Sequence, residues 1–256
     1  MKTHFLPLLL ATFSSSLCLN AEALLFDFGK TATNEPTLSP GHANETMGNT
    51  WNSIGKNDIA TGLFTDSGAV ATGIGINLGT SIGDSFNVDF ADNPDADYLT
   101  GTSLSTGVYI NNAPGKDGIF ENSDFETIGI QITGLAAGEY KIYLTGRNSN
   151  KSNDSSAFYV DQGASATSFD FGSPSLITMA NTADTRNSWV NGDNYGVATI
   201  TLTGSNALFI GLDGTGGSDD RAFLNTIEIV AIPEPSSFIL LSLGGLLAGL
   251  TLMRKK

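Results

Sequence analysis

His42 is the only histidine beyond the first few residues, and it stands in a Gly/Pro/Asn-rich stretch. Cysteine is equally scarce, with Cys18 the single example. One chain therefore cannot assemble a multi-histidine zinc site or a Cys–His nucleophile. A Ser-His-Asp triad through His42 would lack a nucleophile-elbow sequence. Carboxylates are plentiful, so an acidic-residue glycosidase or lyase is a formal alternative, but spacing alone cannot pick out such a pair. Two turn-rich runs concentrate them: Asp92, Asp95 and Asp97 in one, Asp213, Asp219 and Asp220 in the other. Hard oxygen ligands on turn backbone suit Ca2+, the one cofactor these residues point to, although neither run has EF-hand spacing and Asp also caps turns without a metal. Aromatic residues beside amides make the other chemical feature. Trp51, Trp189, Tyr98 and Tyr195 lie in polar, loop-like settings, and Trp189, Asn191 and Tyr195 fall within one seven-residue stretch. Apolar stacking with amide hydrogen bonds suits a sugar face, and the same tryptophans would equally serve as plugs at an end of the fold.

The segments that must position these residues read as strands. Ile128, Ile130 and Ile132 alternate with Thr127, Gln131 and Thr133; Tyr140, Ile142 and Leu144 alternate with Lys141, Tyr143 and Thr145. Ala198, Ile200 and Leu202 follow the same rule, as do Leu208, Ile210 and Leu212. Period-two alternation bounded by Gly and Asn marks half-buried antiparallel strands. The short links at 134–138 and 204–206 predict hairpins between sheet neighbours. Further strands are expected at 24–28, 69–78, 86–90, 156–161, 166–171 and 223–230, about ten in all. With 30 glycines and no helical stripe between the termini, the pattern predicts an all-β, antiparallel two-sheet sandwich, a jelly roll, with first and last strands adjacent.

The termini carry addressing information. Residues 1–23 hold a weakly basic start, an apolar stretch and Ala21-Glu22-Ala23, the small-x-small pattern of a cleaved leader, which places the mature start near Leu24. The sandwich then occupies 24–231. Beyond it come Pro233, Glu234 and Pro235, an uncharged run at 236–253, and Arg254, Lys255 and Lys256. Eighteen residues as a helix rise about 27 Å, near the thickness of a bilayer's hydrocarbon core, and the terminal basic cluster marks a cytoplasmic side. Between Leu24 and Pro235 there are eight basic and 25 acidic residues, a net charge near −17. Such a surface repels nucleic acid and anionic headgroups.

This arrangement over 232–256 resembles the PEP-CTERM sorting signal of Gram-negative bacteria. The resemblance implies export across the inner membrane, processing by an exosortase, transient anchoring through the terminal helix, and a cell-surface or extracellular destination linked to exopolysaccharide and biofilm. A second resemblance lies in the sandwich. Leu25-Phe26-Asp27-Phe28-Gly29, the run Ile132-Thr133-Gly134-Leu135 and the closing Leu224–Ile229 segment look like strands of galactose-binding-like jelly rolls attached to secreted carbohydrate enzymes. The expected function is thus a non-catalytic exported surface or matrix protein. The alternative is a carbohydrate-binding module of the galactose-binding-like type.

Overall fold

The computed structural model describes residues 23–30, 50–57, 59–81, 85–99, 117–122, 126–146, 155–182, 188–216 and 220–233. The leader to residue 22 with Cys18, His42, Asp219, Glu234, Pro235, the run 236–253, Arg254, Lys255 and Lys256 lie outside the described residues.

Two sheets face each other. The first contains β1 (Ala23–Phe28), β2 (Asn52–Ile54), β9 (Gly138–Thr145), β13 (Gly196–Leu202) and β16 (Thr226–Ile232), in the order β13-β9-β16-β1-β2. The second has a main path β11-β5-β4-β8-β14-β10-β12, formed by Ser168–Asp170, Asn87–Asp89, Gly75–Ser81, Ile128–Thr133, Ala207–Gly216, Ser155–Gly163 and Ile177–Met179, with β3 (Ile59–Thr61) on β4. A small third sheet, β15-β7-β6, joins Phe223–Leu224, Gly118–Glu121 and Ala96–Leu99. Among the described strands, all pairings are antiparallel except β1 with β2. The sandwich is an all-β jelly roll, and its first and last strands do pair: Leu24 lies opposite Ile229 and Phe26 opposite Ile227.

Alternation explains the core. Phe26, Phe28, Ile142, Leu144, Ile227 and Ile229 from the first sheet meet Ile76, Leu78, Ile128, Ile130, Leu208 and Ile210 from the second, all buried in one cluster. Each fully buried side chain of this kind contributes about 1.5–3 kcal/mol relative to exposure.

The two short links behave differently from the hairpins expected of them. Residues 134–137 connect β8 in the second sheet to β9 in the first, and 203–206 connect β13 in the first to β14 in the second. Both are arches between sheets. Length alone could not separate a hairpin from an arch, since each needs a few residues and a positive-φ glycine, here Gly134 at 82° and Gly204 at 62°. Gln162 holds the second arch: its Oε1 accepts from Thr203 N at 2.8 Å and Asn206 Nδ2 at 3.2 Å. The segment expected as one strand at 69–78 is instead split, by a bridge at Val70 to Phe64 and a turn before β4.

The second sheet is covered on its outer face as well. Gly79, Gly129 and Gly211 stand side by side on β4, β8 and β14, with Tyr159 of β10 next in the row. The glycines leave a trough that larger residues fill. A Cβ on Gly129 would lie 2.2 Å from Val88 Cγ1, and one on Gly211 would lie 2.2 Å from Tyr159 Cε2. Above them Phe169 stacks on Phe209 at 3.9 Å, and Phe171 meets Tyr159 edge-on at 4.6 Å. This second cluster is why Gln131, on the polar phase of β8, is also buried.

Strand direction sorts the loops to two ends. The tail-bearing end holds the start of β1, the end of β16 and both arches. The opposite, distal end holds the loops around 117–126, 180–195 and 220–225. Because Tyr159 is locked among aromatic rings, Gly211→Ala is expected to destabilise the fold by about 1–3 kcal/mol through overpacking, read as a lowered urea midpoint.

Candidate functional site

The 188–195 segment at the distal end is a tightly bonded loop. Asn194 is fully buried; its Oδ1 accepts from Val190 N at 2.8 Å and its Nδ2 donates to Ser188 O at 2.7 Å. Asp193 Oδ1 accepts from both Thr182 N and Thr182 Oγ1 at 2.8 Å, tying the loop to the chain after β12. Gly192 adopts φ 80° and donates its N–H to Tyr195 O at 2.9 Å. Around this loop three rings gather, with Tyr195 next to both others. Trp189 meets Tyr195 edge-on at 6.1 Å, and Tyr195 lies 6.1 Å from Tyr143 on β9. All three are half-buried, and Asn191 is exposed beside them. Burial raises the pKa of Tyr195, with neighbouring Tyr143 adding to the effect. Burial, then the Glu228 carboxylate, does the same to Tyr143. Both phenols therefore stay neutral donors at ordinary pH.

The structure brings together Trp189, Asn191 and Tyr195 from the expected set. Tyr143, Asp193 and Asn194 were missed as parts of the site. Tyr143 sits on the outward phase of a strand, and only the loop's position above β9 gives it a role. Trp51 stands apart. It is 4 % exposed and packs with Ala23, Leu25 and Val230 on the outer face of β1, so its setting is apolar rather than the polar, open one its neighbours in sequence suggest. The reason is the parallel pairing of β2 to β1, which draws residue 51 across that face. Tyr98 lies under the Lys56 ammonium at 5.5 Å.

The acidic runs do not converge among the described residues, where no three His, Cys, Asp or Glu side chains form a metal-sized group. Asp92 is exposed. Asp95 Oδ1 accepts from Asn122 Nδ2 at 3.1 Å, and Asp97 faces Lys56 Nζ at 3.8 Å. Asp213 is half-buried on β14, and Asp220 lies just before β15.

A carboxyl pair that sequence reasoning overlooked lies elsewhere at the distal end. Glu121 on β7 is fully buried. Burial first, then the charge of Glu126, raises its pKa to about 8, and the two carboxyls share a hydrogen bond. Thr80 Oγ1 donates to Glu121 Oε1 at 3.3 Å. Glu121 is thus a protonated acid at neutral pH, hydrogen-bonded to Glu126. Fully buried, it presents no face to a sugar.

At the other end β16 stays paired with β9 up to Ile232, opposite Glu139, and Pro233 follows exposed. Residues 231–256 match the PEP-CTERM protein-sorting motif. The tail marks an exported protein held in the membrane before processing. No curated protein matches the chain. Among solved structures, the chain is similar to protein YxiM from Bacillus subtilis, at 14% identity and a TM-score of 0.38, over 82% of this chain and 40% of that one. The chain therefore spans well under half of that protein's length. It is also similar to a family 35 carbohydrate-binding module from Clostridium thermocellum, at 10% identity and a TM-score of 0.34, over 54% of this chain and 93% of that one. An exo-beta-1,3-galactanase from Phanerochaete chrysosporium is similar at 15% identity and a TM-score of 0.31, over 58% of this chain and 30% of that one.

The carboxyl pair has a consequence for stability. A folded-state pKa of about 8 against 4.5 for the free group means that the folded chain binds the extra proton between those values. Stability from this site is therefore greatest at low pH and declines as pH rises towards 8. Glu121→Gln keeps a donor towards Glu126 without a titrating proton. The variant is expected to flatten the fall in Tm over this range and to melt a few degrees above the parent at the alkaline end, as measured by thermal unfolding at stepped pH.

Proposed function

We propose that the chain is a non-catalytic surface or extracellular-matrix protein of a Gram-negative bacterium, trimmed by an exosortase, whose sandwich contacts exopolysaccharide through the 188–195 loop. The observation that carries this reading is the half-exposed cluster of Trp189, Tyr195 and Tyr143, built on a bonded loop at the end of the sandwich opposite the sorting tail. Aromatic faces with neutral phenols and the exposed Asn191 amide supply apolar contact for a sugar ring and hydrogen bonds for its hydroxyls. A pre-bonded loop also loses little conformational entropy on binding.

The tail and the sandwich would then divide the work. The tail directs export and processing, and the distal loops meet the matrix. The domain's negative charge of about −17 favours neutral glycans over polyanionic ones, because like charges repel at short range. Calcium is not needed for this contact, and the acidic runs would serve as turn caps and solvated surface.

Two measurements bear on this proposal. Mass spectrometry of protein recovered from cells containing an exosortase is expected to find a C-terminus at or near residues 233–236. A chain ending at Lys256 would instead mark a plain anchor. In a pull-down on neutral exopolysaccharide, Trp189→Ala is expected to weaken binding about tenfold or more, the loss of one well-placed aromatic contact. Trp51→Ala is expected to lower stability by about 3–5 kcal/mol through the emptied pocket beside Leu25. Absence of parental binding to any glycan tested would overturn the carbohydrate reading.

A further inference from the structure

The two ends of the sandwich differ in a way the fold itself does not require. Among the described residues five turns form the tail-bearing end: 65–70 (Thr-Asp-Ser-Gly-Ala-Val), 71–74 (Ala-Thr-Gly-Ile), 134–137 (Gly-Leu-Ala-Ala), 164–167 (Ala-Ser-Ala-Thr) and 203–206 (Thr-Gly-Ser-Asn). Asp66 is the one ionisable residue in these five turns, in a sandwich that carries 24 acidic side chains. Val70 is 61% exposed there, and Ala136 and Ala137 are exposed at the tip of their arch. Between the sheets at this end a cavity of about 330 Å³ is lined by Ala23, Ala71, Leu135 and Ile229 among others. Asp66 is drawn in against the start of β1, where its Oδ1 accepts the Ala23 N–H at 3.2 Å, and Glu139 stands one residue inside β9. At the distal end the loops carry Asp95, Asp117, Glu126, Asp193 and Asp220.

Chain length says what faces this end. Ile232 is the last residue paired in β16. Only residues 233–235 separate it from the uncharged run that starts at Ser236. Fully extended at about 3.3–3.6 Å per residue, that link spans at most about 14 Å. A headgroup layer takes up about 5–8 Å of it on one side of a bilayer. The remaining gap is narrower than the roughly 10–12 Å diameter of a helix, so no other folded element fits between this end and the lipid.

We propose that the end formed by Val70 and the 134–137 and 203–206 arches rests on the surface of the anchoring bilayer while the tail is in place. The partner is the interfacial layer of neutral, zwitterionic lipid. Exposed small apolar side chains settle among headgroups without desolvating a charge, and a domain of this sign gains nothing from anionic lipid. The inference rests on the tail being membrane-anchored before processing, and it adds an orientation: the sheets stand upright on the membrane with Trp189 and Tyr195 at the far end. Cleavage would release the contact together with the tether.

The test uses the full chain, with Cys18→Ser, reconstituted into phosphatidylcholine vesicles. Flotation is measured first. Spin labels are then attached to Val70→Cys, Ala136→Cys and, as the distal control, Val190→Cys, and relaxation by a lipid-borne nickel chelate is read. Contact within the interfacial layer is expected to relax labels 70 and 136 at least about threefold more than label 190. Equal relaxation at all three sites in floating protein overturns the docked orientation and leaves the anchor intact. Failure to float overturns the anchor and the orientation together. A label at Ser205→Cys reads the apolar contribution: adding Val70→Glu and Ala136→Glu is expected to reduce its relaxation severalfold. No reduction would mean that the tether alone sets the distance, which also overturns the proposal.

Discussion

The insertion of β16 between β1 and β9 is the constraint on which the rest of this structure depends. It supplies Ile227 and Ile229 to the buried core, pairs with β1 over five residues and with β9 over seven, and completes the first sheet. A strand bonded on both edges cannot shift by one residue without turning its apolar face outward. The register is therefore held from both sides, and the point where the chain leaves the sandwich is held with it. Everything after Ile232 starts from a fixed place at one end of the molecule. The sorting motif, residues 231–256, thus begins inside a strand bonded on both edges.

Much of this was legible in the sequence, because the alternation that signals a strand is the same alternation that fills the core. Ile128, Ile130 and Ile132 could be placed inward from spacing alone, and the pairing of the chain ends followed from the general layout of sandwiches. What could not be read was the sheet to which each strand belongs. The 134–137 link looks like a hairpin turn, yet Ile132 and Tyr140 lie on strands of different sheets. A glycine at positive φ turns a chain within a sheet or across to the next one equally well, and long-range pairing decides between them. The glycine row was hidden for a related reason. Gly79, Gly129 and Gly211 are unremarkable apart, and they become a trough only when β4, β8 and β14 lie in register.

The candidate site shows the same division. Trp189, Asn191 and Tyr195 are close in sequence, so their meeting needed only a local turn, and the Asn-Gly-Asp-Asn run announces one. Trp51 lies in a comparably polar stretch but was carried onto the apolar face of β1 by a parallel pairing that nothing nearby in sequence signals. Glu121 was hardest to find. It alternates correctly within Gly118–Glu121, and only the third small sheet, lying against Thr80 and Glu126, turns an ordinary carboxylate into a buried acid.

Charge placement then links stability to orientation. A carboxylate near a low-dielectric surface loses part of its hydration, and the loss grows as the surface approaches. A domain tethered by three residues has one end that cannot escape that cost and one that never meets it. The chain places turns with a single carboxylate, Asp66, at the first and its acidic loops at the second, roughly the height of the strands away. The same logic governs the interior of the acidic end. There Glu121 has no water to hydrate it and the Glu126 carboxyl beside it, so it keeps its proton instead of its charge. At Glu121, where water does not reach, the chain keeps an acidic residue by leaving it protonated.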